Sequence, residues 1–168
     1  MIAVSKMKKT LCLIIPVCLL SAGPVFADEK IMISSVIPYE DKDVGNADLQ
    51  KDCDWNQQLA ENIVKESNSI AETTDKDLAQ INGKTLTILS DNIHSIGGGA
   101  MTGPKWVHIH GQLSDNGKVI ASFEALRRTI GGRLTACSTL NNLGDELAED
   151  VGKWLKNPTM NAKLGDAN

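Results

Sequence analysis

Residues 105–128 alternate apolar with polar side chains in two runs, on either side of Ser114-Asp115-Asn116-Gly117. A period of two marks strands with one buried face, and a glycine closing a short polar loop marks a tight reversal. The pattern predicts a β-hairpin of strands 105–113 and 118–128. A three-residue loop Asp115-Asn116-Gly117, with Gly117 left-handed, pairs Ser114 with Lys118, Leu113 with Val119, Gly111 with Ala121, Ile109 with Phe123 and Val107 with Ala125. The last four pairs are apolar or small. The other face carries Trp106, His108, His110 and Gln112 opposite Leu126, Glu124, Ser122 and Ile120. A slip of one residue would mix the faces, so the alternation constrains the register.

Around this hairpin the pattern supplies two more strands and two helices. Ile31, Met32, Ile33, Val36 and Ile37 form a β-prone run that Pro38 stops, and Leu86 and Ile88 share a face in a strand over 85–93. Leu49, Cys53, Leu59, Ile63 and Val64 recur at helical spacing over 48–67. Leu140, Leu143, Leu147, Val151, Trp154 and Leu155 do so after Cys137, with Ser138 or Thr139 as cap and Asn157-Pro158 as stop. The polar stretch 68–83 reads as a long loop with one short helical turn, and 159–168 as a flexible tail. The order β-α-β-β-β-α predicts a two-layer α/β sandwich. Its mostly antiparallel four-stranded sheet carries both helices on the Val107/Ile109/Phe123 face.

The first 27 residues have the layout of a cleavable export signal. Lys6, Lys8 and Lys9 precede the apolar run 11–20, a Ser21-Ala22-Gly23-Pro24 breaker and Val25-Phe26-Ala27. That run is too short for a permanent anchor. A lipoprotein signal fits poorly, since Pro16-Val17 precede Cys18. Cleavage after Ala27 leaves a single domain over 28–158 and predicts a periplasmic or secreted location. It removes three lysines and no acids, leaving 14 basic against 21 acidic side chains, a surface that repels nucleic acid and anionic lipid. No second apolar run approaches membrane-spanning length. Only Cys53 and Cys137 survive cleavage, and two cysteines in an oxidising compartment are expected to pair. The bond would set the N-termini of the two helices close together.

Gly97-Gly98-Gly99-Ala100-Met101-Thr102-Gly103-Pro104-Lys105, with Gln112-Leu113-Ser114-Asp115-Asn116-Gly117 and the C-terminal Trp154-Leu155-Lys156-Asn157-Pro158, resembles a group of small bacterial periplasmic proteins of unassigned activity. The resemblance covers about half of the chain. The layout is similar, at fold level, to α/β domains of envelope auxiliary lipoproteins. Neither likeness implies catalytic residues, and fold likeness alone is weak evidence of function.

Three patterns carry chemistry. Gly97, Gly98, Gly99 and Gly103, with Lys105, Arg127, Arg128 and Arg133, offer backbone amides and cations to an anion or partner. A nucleotide loop is excluded, because Pro104-Lys105 stands where Lys-Ser/Thr is needed and a strand follows. The plainer reading is a sharp bend between strands. His108 and His110 project from one face, and with Glu124 they form a set suited to zinc, the one cofactor the sequence suggests. Ser122 near His110 and Glu124 matches a hydrolase triad in composition only, lacking an exposed elbow. The leading expectation is a periplasmic or envelope-associated module without a catalytic site, binding a protein or envelope component. The alternatives are a zinc-binding protein or metal-dependent enzyme, and an acidic inhibitor or immunity protein for a basic enzyme.

Overall fold

The computed structural model describes residues 29–95, 103–131 and 135–168. The export segment, the glycines at 97–99 and Arg133 lie outside the described residues. In chain order the elements are β1 (Ile31–Ser34), α1 (Ala47–Asp52), α2 (Trp55–Glu66), β2 (Ala71–Thr74), a 3-10 turn (Leu78–Gln80), β3 (Lys84–His94), β4 (Lys105–Asp115), β5 (Lys118–Thr129), α3 (Ala136–Trp154) and β6 (Ala162–Gly165). One mixed sheet of six strands runs β2-β1-β3-β4-β5-β6. The α/β class and the helix-covered sheet stand, while the expected four, mostly antiparallel strands are corrected to six, with three of the five pairings parallel.

Both added strands are parallel edges. β2, inside the expected loop, pairs with β1, and β6, inside the expected tail, pairs with β5. Each is four residues long, Ala-Glu-Thr-Thr and Ala-Lys-Leu-Gly, with little apolar alternation to signal it. Short polar edges blunt the risk of further strand addition.

Beyond the bulge the hairpin keeps its predicted faces but not its partners. Asn116 (φ 48°) and Gly117 (φ 81°) form a two-residue reversal with Asp115 opposite Lys118. That turn moves the register by one residue, and a bulge beside Leu113/Ser114 moves it by one more. Leu113 therefore meets Ala121, Gly111 meets Phe123, Ile109 meets Ala125 and Val107 meets Arg127. Two is the period of the pleat, so from Val107 to Leu113 and from Ala121 to Ala125 each side chain stays on its expected side, whereas Val119, expected beside Leu113, pairs with Ser114 between the turn and the bulge and is exposed.

Buried Ile33, Leu86, Ile88, Val107, Ile109, Phe123 and Ala125 form one core cluster with Trp55, Leu59, Ile63, Leu140, Leu143, Leu147 and Val151 of the helices. The single helix expected over 48–67 is two, broken where Cys53 turns extended (φ −113°, ψ 135°). Thr135, not Ser138 or Thr139, caps α3, in a reciprocal box with Ser138. Cys53 and Cys137 are bonded, with Cα atoms 5.2 Å apart, joining the end of α1 to the first turn of α3. No helix among the described residues is long and apolar enough to cross a membrane.

Candidate functional site on the bare face of the sheet

The helices cover one side of the sheet; on the other, a bulge in β3 builds the site. Leu86, Ile88 and Ser90 are buried on the helix side, but the next buried position is Ile93. The register shifts between Ser90 and Asn92, and Asp91 is the extra residue. Bulges re-aim side chains. Here Asp91 and Asn92 both reach the side chains of β4 on the bare face.

Four contacts define the result. His108 Nδ1 lies 2.5 Å from Asp91 Oδ1, and His110 Nδ1 lies 3.4 Å from Asp91 Oδ2. Trp106 Nε1 donates to Asn92 Oδ1 at 2.7 Å. The His94 ring stacks on Trp106 at 4.2 Å between centroids and 14° between planes. One row on the bare face thus holds an indole, three imidazoles and a carboxylate.

Glu40 joins from the segment after β1. Its N–H donates to the Ser90 carbonyl at 2.8 Å, while Ser90 donates to the Pro38 carbonyl at 3.0 Å. Tyr39 turns inward, where its hydroxyl accepts from Trp55 Nε1 at 3.0 Å. Alternation turns Glu40 outward, and its Oε1 lies 4.0 Å from His110 Nε2. One ligand atom from each of Glu40, Asp91 and His110 falls within 4.8 Å of the others. Burial pushes the Tyr39 phenol above its usual value, and the Trp55 hydrogen bond works against that shift.

The expected His108/His110/Glu124 set is therefore rearranged. Glu124 stands opposite His110 instead of His108, and its carboxylate meets the Lys163 ammonium on β6. That hydrogen bond and charge hold the Glu124 carboxyl below the usual carboxylate range, with His108 contributing less. Asp91 and Glu40 approach His110 as well, while Glu124 lines the same depression from β5. The signal for Asp91 was the slip in spacing from Leu86, Ile88 and Ser90 to Ile93. Glu40 lay in an acidic, turn-rich stretch with no pattern to single it out.

No family model matches the chain, and no curated protein does. Among solved structures, a leucine-to-methionine variant of PelC from Paraburkholderia phytofirmans, described as a dodecamer, is similar over 80% of this chain and 95% of that one, at 19% identity and a TM-score of 0.49. A likeness at that level transfers neither assembly nor role.

Among the described residues, the basic group of the sequence does not converge. Arg127 faces α3, where Nε and Nη2 grip Asp150 at 2.7 and 2.8 Å and Nη1 lies 3.7 Å from Glu146. Asp150 holds the guanidinium pKa above its usual value. Lys105 is buried and donates to the Gly103 carbonyl at 3.0 Å. Arg128 is exposed on the bare face, its backbone N–H bonded to Asp166. These cations point to opposite sides of the sheet. Ser122 donates to Asn161 Oδ1 at 3.3 Å and accepts from Asn161 N–H at 2.9 Å, so its hydroxyl ties β5 to the start of β6.

A depression of about 490 Å³ opens over Asp91, His108, His110, Gln112, Ser122 and Glu124. A second, of similar volume and more apolar, lies among Ile70, Leu113, Ile120 and Leu155 at the other end of the hairpin. Polar donors converge in the first, which makes it the candidate site.

Proposed function

We propose that this chain is an exported binding module, without a catalytic centre of its own, that engages a protein or envelope component through the bare face of its sheet. The observation that carries the reading is the row His94, Trp106, His108, Asp91 and His110, which β3 and β4 set on the side opposite the helices. Tryptophan is among the side chains enriched at the centres of protein interfaces, and the imidazoles and carboxylate beside Trp106 add polar contacts around it. The export layout of residues 1–27 and the Cys53–Cys137 bond support a place outside the cytoplasm. The acidic balance of the processed chain favours a partner with basic character.

The test is capture from an envelope extract by immobilised, processed protein in low salt. Gln112→Arg and Thr87→Arg alter exposed positions on the bare face, and Glu61→Arg alters the outer side of α2. The expected result is a discrete species retained by the wild type and the Glu61 variant, lost from both bare-face variants, and released as salt rises. Equal retention by all four proteins, or by none, contradicts the reading.

A further inference from the structure

The bulged Asp91 suggests what the bare face binds first. We infer that Glu40, Asp91 and His110 ligate one divalent transition-metal ion, with His108 as a positioning residue that fixes the Asp91 carboxylate. The inference rests on the reading of the bare face as the working surface and adds a ligand to it.

The donor set comes first. One imidazole and two carboxylates are the mixture that zinc and its neighbours accept. In a tetrahedral zinc site, ligand atoms about 2.0–2.2 Å from the ion lie roughly 3.3–3.6 Å apart. Asp91 Oδ2 lies 3.4 Å from His110 Nδ1 and Glu40 Oε1 lies 4.0 Å from Nε2 of the same ring. One ion takes a single nitrogen, and with one ligand atom from each residue all three fall within 4.8 Å, a spread that a small rotation of the half-exposed Glu40 narrows. Asp91 and His110 are held by strands, so two of the three ligands sit on rigid elements.

His108 explains the orientation of Asp91. With its Nδ1–H given to Oδ1 at 2.5 Å, it leaves Oδ2 turned toward His110. Outer partners of this kind orient a ligand and tune its basicity. Three protein ligands leave a fourth position open over the 490 Å³ depression, for water or a donor group of a partner. The pairing of Glu124 with Lys163 removes that carboxylate from the set.

Calorimetric titration of tag-free, metal-stripped protein with zinc chloride tests the inference. Saturable binding of one equivalent is expected, together with a rise in melting temperature. Asp91→Asn, His110→Ala and the exposed Glu40→Gln should each weaken binding by tenfold or more, while Glu124→Gln leaves it unchanged. His108→Ala should weaken it about tenfold, and His108→Asn, whose amide can still donate to Oδ1, should restore it. The visible spectrum of the cobalt-loaded protein separates the roles: it changes in the His110 variant and keeps its shape in the His108 variant. Unsaturable binding, or wild-type affinity in all three ligand variants, overturns the inference. A changed cobalt spectrum in His108→Ala overturns the positioning role. Repeating the envelope capture with and without chelator keeps the two readings apart. Capture that survives chelation, in a protein that binds no zinc, sinks the metal and spares the surface; stoichiometric zinc binding without capture does the reverse.

Discussion

Gly111 lies directly beneath the ring of Phe123: a Cβ placed on Gly111 would stand 2.4 Å from Cε1 of that ring. The two residues are opposite one another on β4 and β5, and Phe123 in turn packs edge-on against Trp154 of α3 at 4.9 Å. A glycine under an aromatic ring lets the ring lie flat on the strand and reach the helix. Gly111→Ala should therefore cost about 1–3 kcal/mol through overpacking. The shift of the urea midpoint reads that cost, and a midpoint at the wild-type value refutes the close approach.

The bond between Cys53 and Cys137 closes a separation of 84 residues. On the chain-entropy account such a link is worth roughly 4 kcal/mol, by restricting the unfolded chain. The double variant Cys53→Ala/Cys137→Ala should lose stability of that order in urea unfolding. A loss below about 1 kcal/mol would show that the constraint contributes little.

Tyr39 is the single tyrosine of the chain, so phenolate absorbance reports on it alone. Burial raises its pKa above the usual 10.0. A raised acid pKa means the fold favours the neutral phenol. That stability is fully present below the unfolded value near 10 and is lost as pH climbs through the higher folded value. Phenolate should appear at higher pH in the folded protein than in urea, and Tyr39→Phe should remove this part of the alkaline loss. Coincident titrations in the two states would contradict the burial.

Arg127 and Asp150 form a two-pronged pair between β5 and α3, with the Asp150 side chain 13% exposed. Arg127→Ala should cost about 1–3 kcal/mol, since it strips charge-assisted hydrogen bonds from a largely buried carboxylate. Envelope capture by the folded variant should persist, because Arg127 faces the helices. Lost capture with stability intact would return Arg127 to the binding surface.

The sheet faces were legible in the sequence, and their partners were not. Alternation from Val107 to Leu113 and from Ala121 to Ala125 reports which side each residue takes, and a slip of two leaves that report unchanged. What fixed the true register was local: a turn of Asn116 and Gly117 alone, and a ring lying over Gly111. The disulfide was legible from the export layout of residues 1–27 and the two cysteines beyond it. β2 and β6 were not, because Ala71–Thr74 and Ala162–Gly165 are short parallel edges held by backbone pairing more than by buried side chains. The break at Cys53 hid for another reason, since Leu49, Cys53, Leu59 and Ile63 keep helical spacing across it.

The candidate site was half legible. His108 and His110 follow from strand geometry, but their carboxylate comes from a bulge. The spacing from Ser90 to Ile93 shows that bulge only once the buried side of β3 is known.

Site-specific photo-crosslinking in intact cells tests the working surface most directly. A photoreactive residue at Gln112 or Thr87 samples the bare face, and one at Glu61 or Lys65 samples the exposed side of α2. The account predicts a discrete adduct from both sheet positions and none from the helix positions. Adducts from α2 alone, or equal yields from all four positions, would contradict it.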